Sequence, residues 1–295
     1  MVAGLTTTGA LKQRLTLRLL GATLGGLIFG LGTITFLFPN MDSITSLVVL
    51  VGSVAFICSW ISGGARFNYV GLQVAFAFYL VTLQGFGAST KLEPARDRLI
   101  GIVVALVVMW FVFDQIWPVR TVTAMRRLAA SVLRSAASLL ELVHATKEHD
   151  GLLRNTESLR DRVGKNIATL RTLSEAVEYE FGVDREQHVR SSEVILRISV
   201  TAAALVWNQL AILHDEHDMH LITEPDLVEM RRKLAEHMNI MAESIVQKTV
   251  IYAEPIVSSV SPALLRSERY GEYTQNTIAL CEDLQALTLA LGRDT

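Results

Sequence analysis

Two arginines stand where the chain begins a long uncharged run. Arg18-Leu19-Leu20-Gly21 and Arg98-Leu99-Ile100-Gly101 repeat one another, each opening an apolar stretch. A guanidinium in that position has a planar fork that matches a carboxylate bidentately. The helix N-terminus beside it carries roughly half a positive charge from its aligned peptide dipoles, so arginine and dipole together suit an organic anion. Gln73 and Gln84, on the third apolar run, are candidate neutral partners for the same anion. Anchoring of the two arginines at the membrane surface by snorkelling is the plainer account. Asp114, at the end of the fourth run, is a candidate proton-coupling carboxylate; its competing role is that of a polar residue in the last turn of a helix.

Other chemistry has no residues to carry it. The sequence lacks a phosphate-cradling loop with its lysine, a nucleophile elbow and a paired-cysteine site, so we expect no enzyme and no cofactor. Without an ATP motif, any solute movement must draw on an ion or solute gradient, or on a separate subunit. His214, Asp215, His217, Asp218 and His220 are metal-ligand types, and on a helix His214 and His217 would be neighbours. Glu224-Pro225 just beyond reads as the start of a next helix, so a polar turn is expected there and no metal. Cys58 and Cys281 are too far apart and too few for a disulfide framework, and read as packed free thiols. The net charge of -2 gives no argument for nucleic acid.

The elements that must position these residues divide in two. Hydrophobic residues make up 51% of the 295 and the mean hydropathy is +0.37, too apolar for an ordinary soluble chain of this length. The excess is concentrated: between Leu19 and Thr90 only Asp42 and Arg66 are charged. A helix with no charged face must be solvated by lipid or by other buried helices. Four spans are expected, at about 19–38, 44–61, 69–86 and 99–117, forming a transmembrane domain over 1–118. Trp117, Pro118, Arg120, Arg126 and Arg127 read as the exit of the last span with its basic flank. Together with Lys12, Arg14 and Arg18 they favour both termini on the cytoplasmic side of a multi-pass protein. Gly21, Gly25, Gly26 and Gly30 form a face along the first span where another helix can approach closely, including one from a second copy.

Past Pro118 the pattern becomes one-sided, and 119–295 is expected to form a cytoplasmic domain of about five long helices with no strand. Met125, Leu128, Val132, Ala136, Leu139 and Val143 mark the first, and the others are expected near 156–181, 184–214, 226–252 and 263–291. The stretch 194–213 is apolar enough to mimic a fifth span. Arg197, Asn208 and Gln209 would be costly there, at about 2.5 to 3.5 kcal/mol for a central arginine, so a buried bundle helix is expected instead. The fold class is therefore all-α, a membrane part followed by a helical bundle.

These residues also carry a resemblance. Thr8-Gly9-Ala10-Leu11 followed by Arg18-Leu19-Leu20-Gly21-Ala22-Thr23-Leu24-Gly25-Gly26 resembles the R-x-x-G-T-x-x-G opening of a span in the fusaric acid resistance and aromatic acid exporter family of bacterial inner-membrane proteins. Asn68-Tyr69-Val70-Gly71, Ala75-Phe76-Ala77-Phe78 and Arg98-Leu99-Ile100-Gly101 look like the later part of the same module. The resemblance implies efflux of aromatic carboxylic acids or drugs across the bacterial inner membrane, with a periplasmic adaptor and an outer-membrane channel as partners. Modules of that family have six spans and this chain has four, so it reads as the C-terminal part of a longer protein, a split gene product or a reduced member. Arg18 then opens the third span on the cytoplasmic side and Arg98 the sixth on the periplasmic side, as inverted repeats require. The expected protein is a membrane subunit of a gradient-driven exporter of small organic anions, embedded in lipid and working as a homo-oligomer. The alternative is a non-transporting anchor whose helical domain scaffolds or senses a partner.

Overall fold

Backbone amides that cannot reach water must find their partners within the chain, and helices satisfy them locally. The computed structural model describes residues 7–41, 43–64, 68–83, 93–112, 120–145, 149–180, 184–214, 225–250, 265–266 and 271–293, and among them there is no strand. The chain divides into two units, one of Met1–Gly9 with Val119–Thr295 and one of Ala10–Pro118.

In the apolar unit the first helix is longer than the expected 19–38. It begins as α1 (Thr8–Ala22) and continues through π-helical turns at Thr23–Gly30 and Thr33–Leu37 to a 3-10 turn at Phe38–Asn40. Residues 8–37 contain no proline to stop a helix, so it runs on from Thr8 and includes Lys12, Arg14 and Arg18. Leu31 N–H donates to Gly26 O, five residues back. The Thr23 and Thr35 hydroxyls donate to the carbonyls of Leu19 and Leu31, each at 2.7 Å. Occupying the i−4 carbonyl in this way competes with the α-helical ladder and loosens it.

Ser43 caps α2 (Ile44–Ser62) by accepting from Thr45 N–H. After α2 come α3 (Asn68–Thr82) and α4 (Glu93–Phe111). Two helices among the described residues are long and apolar enough to cross a membrane: Thr8–Asn40 and α2. Only 6% of the α2 window is buried, with Phe56 75% and Trp60 79% exposed. A buried helix of a water-soluble core would be covered; this surface suits hydrocarbon.

The other two expected spans are altered. The third is a 15-residue helix as far as Thr82, and 84–92 lie outside the described residues. The fourth starts six residues early, because Pro94 in a first turn initiates a helix rather than breaking one, so Glu93, Arg96 and Asp97 are helical and not loop. Residues 113–119, with Asp114 and Trp117, lie outside the described residues.

The bundle unit is built from α5 (Thr121–Ala145), α6 (His149–Val177), α7 (Arg185–His214), α8 (Pro225–Gln247) and α9 (Gly271–Arg293). Of the stripe expected on α5, Met125, Val132, Ala136 and Leu139 are buried, with Ala129 and Leu133 beside them, and packed with Leu170, Ile198, Leu205, Leu234 and Met238; Leu128 is only partly buried, and the side chain of Val143 lies outside the described residues. The ambiguous helix α7 packs into the bundle, where Asn208 and Gln209 each find a partner, while Arg197 is exposed. Asn208 Nδ2 donates to Thr277 Oγ1 (3.1 Å), and Tyr273 Oη donates to Gln209 Oε1 (2.6 Å). In α9, burial first and then the Glu282 charge push the Cys281 thiol up to about 12, so this packed thiol is unreactive.

One basic residue of the expected membrane flank is spent inside the bundle. Arg126 is 3% exposed and its Nη1 donates to Ile245 O (3.4 Å) in the last turn of α8. Orphan carbonyls and the negative dipole end favour a cation there, while burial lowers the guanidinium pKa from its usual value. The Arg126 guanidinium is therefore packed inside the bundle.

Two helix boundaries of the bundle moved for physical reasons. The second bundle helix starts at His149, not 156, since Gly151 and Asn155 are tolerated within it. The fourth stops at Gln247, not 252, because Lys248 turns left-handed (φ 58°) and Thr249 N–H returns to Ser244 O (3.2 Å), closing a Schellman motif. The described part of the last helix is Gly271–Arg293, and 251–264 and 267–270 lie outside the described residues.

A single carboxylate gathers the termini of this unit. Glu180, 7% exposed and three residues past the end of α6, accepts from Thr121 N–H (2.8 Å), from the Thr121 hydroxyl and from the Thr8 hydroxyl (3.2 Å). His188 Nδ1 lies 3.0 Å from its other oxygen, and since a carboxylate only accepts, that nitrogen carries the hydrogen. Gly9 N–H donates to Thr121 Oγ1 (3.1 Å), and a Cβ at Gly9 would fall 2.5 Å from Ala176 O. Glu180→Ala strands several buried donors at once, so we expect a loss of about 3 kcal/mol in thermal or denaturant melts of the full chain. Lys248→Gly relieves the left-handed penalty and should raise stability by about 0.5–1 kcal/mol in the same melts.

Candidate functional site

The glycines of the first helix determine how the apolar unit is assembled. A Cβ on Gly21 would lie 2.4 Å from Gln73 Cβ, one on Gly25 2.2 Å from Val74 O, and one on Gly30 3.0 Å from Val81 Cγ1. These positions form a seam against α3 of the same chain, so that face is already filled within one copy. Gly26 differs: its nearest neighbours would be 3.8 Å away, an ordinary contact. In hydrocarbon, where burying apolar surface gives little net gain, such backbone proximity supplies the attraction between helices.

A second seam, which sequence reasoning missed, joins α3 to α2. A Cβ on Gly71 would meet Ser62 Oγ at 2.3 Å and Cys58 O at 2.6 Å. The tyrosine hydroxyl of Tyr79 donates to Val51 O (3.0 Å). The signal was present, since Gly71 stands in an otherwise bulky apolar run.

The expected anion-binding residues fall in different circumstances. Arg18 is exposed on α1, one turn before the Gly21 seam. Gln73 is half-buried with its stem at that seam. Arg98 is on α4, and its side chain is outside the described residues. Gln84, Asp114 and the cluster Asp215 to His220 also lie outside them. Among the described residues no group of histidine, cysteine and acidic side chains could hold a metal ion.

Where the three helices splay apart they leave a cavity of about 260 Å³. Leu20, Leu24 and Phe29 of the first helix face Val54, Ile57 and Ile61 of α2 across it, and α3 closes the remaining side. Its lining is apolar throughout, so it could hold hydrocarbon or an aromatic ring but offers nothing to a charged group. No periodicity in the sequence could reveal it, because it is space left between helices.

Comparison with known proteins gives the following. No protein-family profile matches the chain. Over 275 residues, 89% of this chain, it is 24% identical to the multidrug resistance protein MdtO of Shigella flexneri and 23% identical to MdtO of Escherichia coli strain K12. The chain spans 39% of the length of each of these relatives.

The seam predicts a contrast between adjacent glycines. Gly25→Ala must push Val74 backbone aside and should cost about 1–3 kcal/mol, read as a lower melting temperature and poorer monodispersity in detergent. Gly26→Ala should leave both unchanged.

Proposed function

We propose that this chain is a membrane component of a bacterial efflux system that exports drugs or aromatic carboxylic acids across the inner membrane. The single observation that carries this reading is the similarity to multidrug resistance proteins, which runs through 89% of the chain, the apolar unit and the bundle alike. The uncovered apolar surface of α2 supports a place in lipid. Residues 69–86 and 99–117 complete a four-span membrane part with both termini cytoplasmic, and the helical bundle is the cytoplasmic domain. The energy source is a gradient, since the sequence carries no nucleotide-binding motif. A second copy, a periplasmic adaptor and an outer-membrane channel complete the system.

The alternative reading is a non-transporting anchor whose helical domain scaffolds or senses a partner. Proteoliposomes separate the two. An exporter should accumulate labelled hydroxybenzoate or a lipophilic drug only when a gradient is imposed, and a scaffold should show no gradient-dependent flux.

In this reading Arg18 and Arg98 attract the anion at the two ends of the path, with Gln73 and Gln84 beside it and Asp114 coupling the proton. Lysine keeps the charge but loses the bidentate fork. Arg98→Lys should therefore lower carboxylate flux and leave insertion intact, and Arg98→Gln should lower it further. Native flux in both variants, at native levels in the membrane, would make the arginines anchors only.

A further inference from the structure

The cavity beside the first helix has a floor, a rim and walls of hydrocarbon, and together they define an occupant. Cys58, Val70 and Val74 form the floor and are buried. Leu20, Leu24, Phe29 and Ile57 form the rim and are exposed, so the space opens sideways to whatever surrounds the helices. An apolar cavity of roughly 150 Å³ stays dry and takes up benzene. This one, at about 260 Å³, has room for a second fused ring.

Polarity excludes the charged part of any ligand. A carboxylate or ammonium seated here would lose its water and find no partner, at a cost of several kcal/mol. Three features favour a ring over a lipid tail. Phe29 at the rim offers an edge or face to another aromatic. The Cys58 sulfur on the floor is a soft, polarizable neighbour for a ring. A rigid ring also surrenders fewer rotors than an acyl chain on entering a short pocket.

We propose that the cavity among the first helix, α2 and α3 is a binding site for an uncharged aryl group of one or two rings, admitted from the surrounding hydrocarbon past Leu24 and Phe29. Binding here is independent of whether the chain transports anything, and the test reads binding alone.

The full chain in lipid nanodiscs is photolysed with 1-azidonaphthalene, and the adducts are mapped by mass spectrometry. Adducts are expected on the floor, at Cys58, Val70 or Val74, and on the outer face of α2, at Phe56 and Trp60. Unlabelled naphthalene at roughly ten times its Kd should reduce the floor adducts about tenfold, by simple occupancy, and leave those at Phe56 and Trp60 unchanged. Leu24→Trp and, separately, Val54→Phe fill the space. Each should abolish the floor adducts and spare the outer ones, the latter showing that the variant is inserted. Absence of floor adducts, failure of naphthalene to compete, or persistence of floor labelling in both filled variants overturns the site. Equal competition by dodecane would identify an acyl-chain pocket and overturn the aryl assignment.

Discussion

Two helices of this chain, Thr8–Asn40 and α2, are long and apolar enough to cross a membrane, where hydrocarbon offers no hydrogen bond to a backbone amide and little reward for hiding one apolar surface against another. The first of these constraints makes such a segment a helix, with each N–H satisfied along its own backbone. The second removes the force that gathers a soluble core, so the helices must be drawn together by close contact. The glycines supply it. Gly21, Gly25 and Gly30 bring the first helix against α3 until Val74 O lies where a Cβ would be, and Gly71 does the same for α3 and α2. Where the seams end, nothing pulls the helices together, and a space lined by leucine, isoleucine and valine remains.

The bundle obeys the opposite rule. Water rewards burial, and α5 presents a continuous stripe of methionine, alanine, valine and leucine to three other helices. Several polar groups enter that interior, some of them with partners or at helix ends. Arg126 meets the last turn of α8, and Asn208 and Gln209 meet Thr277 and Tyr273. Some are left incomplete: Gln209 Nε2, Thr274 Oγ1, and Nε and Nη2 of Arg231 are buried with no hydrogen-bond partner. Glu180 is the opposite case, a carboxylate whose acceptors are used by four donor groups from three different elements. Thr8 lies at the start of the helix that becomes the first apolar segment, and Thr121 opens α5. The residues before and after the apolar unit are thus held at one point of the bundle unit.

The resulting functional picture assigns different tasks to different chemistry. A hydrocarbon-lined space suits the ring of an amphipathic compound and repels its charge. Arg18 stands ten residues past the start of the first helix and Arg98 five past the start of α4, so neither is beside a helix N-terminus as the sequence suggested.

By itself the sequence determined the division at Pro118, the all-helical class, the core stripe of α5 and the rejection of 194–213 as a membrane span. Each depends on which residues sit three or four positions apart, or on the absence of charge over a window, and both are local properties of the chain. Helix limits were less legible. Thr8, Pro94 and Lys248 set ends that propensity placed elsewhere, because a first-turn proline or a left-handed lysine acts through backbone geometry rather than through hydropathy. Only the tertiary structure decided what each special residue meets. Glycines that could have served a second copy meet α3, and an arginine that counted toward a membrane flank caps a helix 119 residues away. Glu180 reaches back 172 residues to Thr8, and no spacing rule predicts such a pairing. The cavity was the least visible feature of all, since it is made by the absence of atoms between three segments, and a sequence records only the atoms that are present.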